Sequence, residues 1–164
     1  MNEKNLIIVD MQKGLINDKN KYLIDRINLL LNNNKFDFVY YTRFKNHENC
    51  PHYSLLNWKE MMDNDSQNIV VKKKSNSCVL HKSSYGLDIN DIELLKAKNV
   101  KEIYLCGTDV DACVLAIAYQ LFDNGIKPFI IWDCVDTSSN NILKESLRPV
   151  YIRNFGKDCI VEHI

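Results

Sequence analysis

Glycine and proline are scarce in this chain, which contains five glycines and three prolines among 164 residues. Low-complexity stretches and internal repeats are absent as well. The sequence therefore offers no linker at which two domains would separate. A chain of this length with 46% hydrophobic residues can bury a sizeable core. We predict one domain that covers residues 1–164.

An excess of charge of either sign is also absent. The 21 lysines and arginines balance the 21 aspartates and glutamates. This balance disfavours nucleic acids and membrane surfaces as partners, because both attract strongly basic proteins. No apolar run approaches the length of a membrane span, and the early block "NLIIVD" is too short for a signal peptide. We expect a cytoplasmic protein whose partner is a small-molecule substrate.

A compact disulfide framework is the third absence. The six cysteines stand at positions 50, 78, 106, 113, 134 and 159, too widely spaced for a small stapled fold. Without a signal peptide, reduced thiols are the better interpretation. We predict that all six are free.

Strand-like and helix-like segments alternate along the chain. Short runs rich in β-branched and aromatic residues predict strands at 5–9, 36–42, 68–72, 102–107 and 128–132, with a last one at 158–161. Apolar residues three and four apart predict helices at 21–33, 89–99, 112–125 and 140–147, with a short one near Trp58. This alternation predicts an α/β fold: a three-layer α/β/α sandwich with a mainly parallel, doubly wound sheet of Rossmann-like topology.

Three chemically capable residues follow three of these strands. Asp10 follows the first strand, one of Lys72 to Lys74 follows the third, and Cys113 comes just past the fourth. In such sheets ligands bind beyond the carboxyl ends of the strands. A thiolate there could attack a substrate, a carboxylate could carry its proton, and an ammonium could hold both charges. Because Cys113 opens a helix, we expect its pKa to lie below the roughly 8.5 of a free thiol.

Each of these residues also has an ordinary structural explanation. A cysteine at a buried helix start is commonly a small core residue, a strand-end aspartate often caps a turn, and consecutive lysines often form a solvated edge. The residues alone leave both a catalytic site and a structural arrangement open.

Three stretches resemble a known family. "LIIVDMQ", "VVKKKSNS" and "CGTDVDACVLAIAYQLFDNGIKPFIIWD" are similar to the three motif regions of the isochorismatase-like cysteine hydrolases, the superfamily of nicotinamidases and isochorismatases. The similarity follows the family order and covers most of the chain. It implies an isochorismatase-like fold and a catalytic triad of Asp10, Lys73 and Cys113.

Position in the motif selects one lysine from the three candidates Lys72 to Lys74. In the family it follows two apolar residues and one variable residue, which selects Lys73 in "VVKK". Strand alternation also places Lys73 on the face of Val71. The family lysine is usually followed by a serine with an aromatic residue two places later, a pattern that Ser83 and Tyr85 meet in "KSSYG".

The resemblance also implies how a substrate would be held. It predicts a cis peptide bond between Thr108 and Asp109, and an oxyanion hole made by the backbone N–H groups of Asp109 and Cys113. Gln12 matches a glutamine that shapes the pocket. The predicted substrate-binding residues are Gln12, Phe44, Asn46, Trp58 and Tyr85, which favour a flat or apolar ligand.

Metal ligands of the nicotinamidases are replaced in this chain. Where those enzymes have an aspartate and a histidine after the second strand, the sequence has Phe44 and Asn46. We expect no metal there and no cofactor. His47, Cys50 and His52 could form a zinc cluster, but without a fourth ligand at matching spacing we predict a solvated loop.

The resemblance implies hydrolysis of a small carboxamide-type C–N bond through a cysteine thioester, in a homodimer or a higher homo-oligomer. Two alternatives stay open. One is a non-catalytic binding or structural protein on the same fold. The other is an isochorismatase-type vinyl-ether hydrolase, whose chemistry needs no cysteine.

Overall fold

The computed structural model describes residues 3–163 and contains one six-stranded sheet in that range. The strands are β1 (Asn5–Val9), β2 (Phe38–Phe44), β3 (Ser77–Lys82), β4 (Glu102–Gly107), β5 (Lys127–Val135) and β6 (Ile160–Val161). The α-helices are α1 (Leu23–Asn33), α2 (Pro51–Leu56), α3 (Ile89–Ala97), α4 (Cys113–Asp123) and α5 (Arg148–Phe155). Short 3-10 helices occupy Lys13–Leu15, Lys144–Leu147 and Lys157–Cys159.

The order of the strands places a crevice beside β1. The sheet order is β3-β2-β1-β4-β5-β6, and every strand pairing in it is parallel. From β1 the chain builds outward in one direction to β3, then returns to β4 and builds in the other direction. Such a reversal leaves an opening at the carboxyl ends of β1 and β4. The predicted α/β/α sandwich with a parallel, doubly wound sheet is confirmed.

Hydrophobic clusters cover both faces of the sheet. All five residues of β1 are buried, as a parallel strand between two helical layers requires. Ile7 packs into a cluster with Ile117 of α4, whereas Ile8 packs into a second cluster with Ile27 of α1. Alternate residues of one strand therefore anchor opposite layers, which fixes the height at which β1 ends.

The predicted strand at 68–72 is wrong. Those residues make one isolated antiparallel bridge, between Ile69 and Gln12, and the third strand is Ser77–Lys82 instead. That strand pairs with β2 from Val39 to Phe44 and so occupies the edge of β2. The segment 68–72 has no strand to pair with along its length.

The predicted helix at 140–147 is also displaced. Only a 3-10 helix, Lys144–Leu147, forms there, and α5 begins at Arg148 with Pro149 in its first turn. Proline suits that position because the first N–H groups of a helix have no partner within the helix. Pro149 therefore starts a helix here instead of ending one.

Two smaller expectations concern the cysteines and the helices. The six cysteines are free, as predicted. None of the helices in residues 3–163 has the length and apolar character needed to cross a bilayer.

Gly107 lets the end of β4 lie directly against β1. Its φ is +113°, and a Cβ atom built on it would lie 2.2 Å from the carbonyl oxygen of Val9. Thr108 N donates a hydrogen bond of 3.0 Å to that same oxygen. Any side chain at position 107 would push apart the two strand ends that carry Asp10 and the turn before Cys113.

Replacing Gly107 with alanine should lower the free energy of unfolding by at least about 3 kcal/mol, because it adds backbone strain to a clash with Val9. Gly125→Ala is the matched control: Gly125 also has a positive φ, +73°, but nothing lies within 4 Å of the added Cβ. That variant should lose only about 1 kcal/mol. Urea unfolding of both variants measures the difference, and equal losses would show that the contact with Val9 is unimportant.

Candidate active site

The ends of β1, β3 and β4 bring an acid, an amine and a thiol together. Lys82 Nζ lies 2.8 Å from Asp10 Oδ2, and it donates a hydrogen bond of 3.4 Å to Cys113 Sγ. The side chains of Lys82 and Asp10 are each 1% exposed. The acid, amine and thiol expected at the rim of the sheet do meet, but the amine comes from a different lysine.

The assignment of Lys73 to this triad is wrong. Lys73 is exposed and lines a separate surface groove with Arg43 and His81. Its neighbours do not reach the thiol either: Lys74 Nζ donates to the carbonyl oxygen of Leu31 on α1, and Lys72 is exposed. The cause is the misplaced third strand, since the family lysine follows a strand and residues 68–72 do not form one.

The signal that identifies Lys82 was present in the sequence. "VLHK" has the same form as "VVKK", namely two apolar residues, one variable residue and a lysine. Ser83 follows Lys82 directly, and Tyr85 stands two places after that serine, as the family pattern requires. The serine and aromatic residue were therefore a better guide than the apolar run.

Lys82 is held by contacts on several sides. Its Nζ donates to the carbonyl oxygens of Ser84 (2.8 Å) and Tyr85 (3.2 Å), and it lies 5.2 Å from the centre of the Phe44 ring. Burial by itself lowers the pKa of Lys82, but the charge of Asp10 and the contact with Cys113 outweigh burial and raise it. Lys82 is therefore a permanent cation at the floor of the site.

Asp10 is fixed by the next strand. It has a φ of +48°, a left-handed conformation that aspartate tolerates better than most residues. The hydroxyl of Thr42 on β2 accepts a hydrogen bond from Asp10 N (2.8 Å) and donates one to Asp10 Oδ1 (2.5 Å). Thr42 thus orients the carboxylate and leaves Oδ2 directed at Lys82.

Cys113 is the first residue of α4, after the N-cap residue Ala112. The expectation of a lowered thiol pKa is contradicted. Burial raises the pKa of Cys113, and the carboxylate of Asp10 raises it further, while Lys82 opposes part of this effect. The raised pKa favours the neutral thiol form of Cys113, beside the carboxylate of Asp10.

Some backbone N–H groups of the turn before α4 have no acceptor among the described residues. The Thr108–Asp109 peptide bond is cis, as the resemblance implied. Within the described residues, the backbone N–H groups of Asp109 and Cys113 have no protein acceptor, whereas Val110 N donates to the carbonyl oxygen of Asp136 and Ala112 N to that of Asp109. The expectation that Asp109 and Cys113 form an oxyanion hole stays a prediction, and both donors are available for it.

A cavity of about 320 Å³ opens above Cys113. Its wall is aromatic, and the His52 ring contacts those of Phe44 (centroids 4.8 Å apart), Tyr85 (4.5 Å) and Trp58. Three of the predicted substrate-binding residues, Phe44, Trp58 and Tyr85, therefore line the cavity. This volume suits a small ligand.

The other two predicted substrate-binding residues, Gln12 and Asn46, do not line the cavity. Gln12 is fully buried, donates to the carbonyl oxygen of Phe44 (2.9 Å) and accepts from Phe44 N (2.7 Å). Asn46 Nδ2 donates to the carbonyl oxygen of Trp58 (2.8 Å). Both side-chain amides form hydrogen bonds with backbone groups. Gln12 and Asn46 therefore position the residues of the aromatic wall without lining the cavity themselves.

Sequence reasoning missed several residues of the cavity. The sequence predicts His52 in a solvated loop, but it is 8% exposed and faces the cavity. Burial and the nearby charge of Lys82 lower the pKa of His52, which favours the neutral ring. No sequence signal separates His52 from a surface histidine. Ser138, in contrast, lies in the loop after β5, where the strand-end rule could have found it.

The residues at the family's metal position do not fit a metal. The Phe44 ring offers no ligand atom, and the Asn46 amide is bound to backbone carbonyls. Cys50 Sγ donates to the carbonyl oxygen of Ser83, at 2.8 Å. In residues 3–163 no three His, Cys, Asp or Glu side chains are grouped to hold a metal ion. That no metal or cofactor binds stays a prediction.

Comparisons with known proteins identify the family and the fold. The family model described as the isochorismatase domain matches residues 4–151. No curated protein sequence gave a significant match. Among solved structures, the pyrazinamidase of Pyrococcus horikoshii in complex with zinc is similar, with a TM-score of 0.79, 19% identity and coverage of 97% of this chain and 98% of that chain.

Two further solved structures have the same fold. PnC1 from L. infantum, in complex with nicotinate, gives a TM-score of 0.80 at 18% identity and covers 97% of this chain and 95% of that chain. The N-carbamoylsarcosine amidase from Thermoplasma acidophilum gives 0.77 at 16% identity, with 94% and 93% covered. At these identities the likeness establishes the fold.

The rate at which iodoacetamide alkylates native Cys113 should keep rising with pH beyond pH 9.0. The reason is that the folded protein raises the pKa of this thiol above its ordinary value of 9.0. The thiolate fraction then keeps growing about tenfold per pH unit where a free thiol already levels off. Peptide mass mapping of timed samples gives the rate, with glutathione as the reference thiol. A plateau below about pH 8 would instead show that the helix N-terminus dominates.

Proposed function

The chain belongs to the isochorismatase-like hydrolase family, and we propose that it is a cysteine hydrolase that cleaves a small carboxamide-type C–N bond. The observation that carries this proposal is the contact of Lys82 with both Asp10 and Cys113 at the floor of one cavity. An acid, a cation and a thiol so arranged can perform acyl transfer to sulfur.

The first half of the reaction forms a thioester. As Cys113 Sγ bonds to the carbonyl carbon, its proton passes to the Asp10 carboxylate. The backbone N–H groups of Asp109 and Cys113 donate to the oxygen that becomes negative. Protonated Asp10 then gives the proton to the leaving nitrogen as the C–N bond breaks, and ammonia or an amine departs.

The second half regenerates the thiol. Asp10, again ionised, accepts a proton from a water molecule that attacks the thioester carbonyl. The C–S bond breaks, the acid is released, and the proton on Asp10 returns to Cys113. Lys82 stays protonated throughout, and it balances whichever of Asp10 and Cys113 carries the negative charge.

Cys113→Ala and Lys82→Met should each lower kcat/KM for a small primary amide by at least about a thousandfold, because one removes the nucleophile and the other the balancing cation. Lys73→Met is the matched control, because Lys73 is exposed and far from the thiol. It should stay within about twofold of the unchanged protein. Ammonia release from a panel of amides gives the rates, and mass spectrometry detects the acyl adduct.

Lys82→Met leaves Asp10 buried without its partner, which should cost about 3–5 kcal/mol of stability. The double variant Asp10→Asn and Lys82→Met restores neutrality, so it should regain stability without activity.

Three outcomes contradict the proposal. Amide hydrolysis that survives Cys113→Ala excludes the thioester. Vinyl-ether hydrolysis that survives Cys113→Ala indicates the isochorismatase type. The absence of both turnover and adduct indicates a binding protein.

A further inference from the structure

Asp109 places a second carboxylate in the cavity. Its side chain lines the same space as Cys113 and the aromatic wall. Oδ1 accepts from Ser138 N (2.6 Å) and from the hydroxyl of Thr108, and Oδ2 accepts from the hydroxyl of Ser138 (2.8 Å). All three partners are neutral donors. Burial raises the pKa of Asp109, and these hydrogen bonds oppose that rise.

No cation of the described protein balances this carboxylate. Within residues 3–163, no lysine, arginine or histidine lies at ion-pair distance from Asp109. Asp10, the other carboxylate of the cavity, is already paired with Lys82. Burial and the charge of Lys82 lower the pKa of His52, which favours its neutral ring. The charge that faces a ligand is therefore negative.

The neighbourhood of Asp109 strengthens this negative potential. Asp111 raises the pKa of Asp109 through its own charge, and Asp111 Oδ1 is buried without a hydrogen-bond partner. Across the cavity, the rings of Phe44, Trp58 and Tyr85 present aromatic surface. Aromatic faces attract cations, most strongly where water is excluded. Carboxylate and rings thus favour the same kind of ligand group.

We propose that the substrate of this site is a small carboxamide that carries a protonated amino group, which pairs with the carboxylate of Asp109 while Cys113 attacks the carbonyl. The proposal rests on the proposed function and adds the charge of the substrate to it. Asp109 would then act twice, through its backbone N–H on the carbonyl oxygen and through its side chain on the cation. Selection by charge is effective in a site that excludes water.

Matched pairs of amides test the proposal, since an ammonium can replace a methyl group of similar size. β-Alaninamide is compared with butanamide, and 3-(aminomethyl)benzamide with 3-ethylbenzamide. A hydrogen bond to a charged partner should favour the ammonium member of each pair by about tenfold in kcat/KM. Asp109→Asn should remove most of that preference, mainly by raising KM for the ammonium member of each pair.

Asp109→Asn is suited to this test because it changes charge and little else. The asparagine oxygen can accept from Ser138 N and Thr108, and its amide can donate to the Ser138 hydroxyl. Ser138→Ala is the matched control, which keeps the charge and removes one hydrogen bond. It should change both members of a pair by the same factor.

Equal use of both members by the unchanged protein would overturn the inference. So would an equal loss of both in Asp109→Asn, which would indicate a structural role. Protection of Cys113 from alkylation supplies a readout that needs no turnover. Protection by β-alaninamide that Asp109→Asn abolishes supports the inference even if no amide is hydrolysed, in which case only the proposed function fails. If the protein hydrolyses only neutral amides, the proposed function holds and the inference is refuted.

Discussion

The buried ion pair of Asp10 and Lys82 is the interaction on which the rest of the site depends. Removing two charges from water costs several kcal/mol for each ion, and their attraction repays this only where further polar contacts are supplied. Here the hydroxyl of Thr42 donates a hydrogen bond to the carboxylate, and the carbonyl oxygens of Ser84 and Tyr85 accept hydrogen bonds from the ammonium. Because the two charges sit at the ends of β1 and β3, the pair also requires those strands to end level with each other across β2.

The same pair explains why the thiol rests in its neutral form. Asp10 and Lys82 cancel each other, so an ionised Cys113 would leave a net negative charge in a site nearly closed to water. When the proton moves to Asp10 as sulfur attacks, the total charge of the three groups does not change. In the proposed reaction the proton therefore moves during attack, and the helix N-terminus acts on the carbonyl oxygen more than on the sulfur.

How far the sequence predicts this structure depends on which contacts specify each element. β1 and β4 were predicted with their observed bounds, because strands buried on both faces are apolar at nearly every position. β3 was missed, since "SCVLHK" is only partly buried and less apolar than "NIVVK", and strand pairing is decided by the edge that β2 offers. The local pattern "VLHK" followed by Ser83 and Tyr85 could have identified Lys82, although the prediction chose Lys73. The place of His52 in the cavity depends instead on tertiary packing against the rings of Phe44, Trp58 and Tyr85, which no local pattern encodes.

The end of β2 shows how a shared fold can support a different pocket. Where nicotinamidases have metal ligands, this chain has the aromatic residue Phe44. Gln12 forms hydrogen bonds with both backbone groups of Phe44, and Asn46 donates one to the carbonyl oxygen of Trp58. A metal at that position would add positive charge to the cavity. Rings contribute none, so the unpaired carboxylate of Asp109 determines the sign of the potential. The fold can hold Asp10, Lys82 and Cys113 in place while the sign of the potential in the cavity changes. The residues that set this sign lie on β2 and on the turn before α4, outside the buried ion pair.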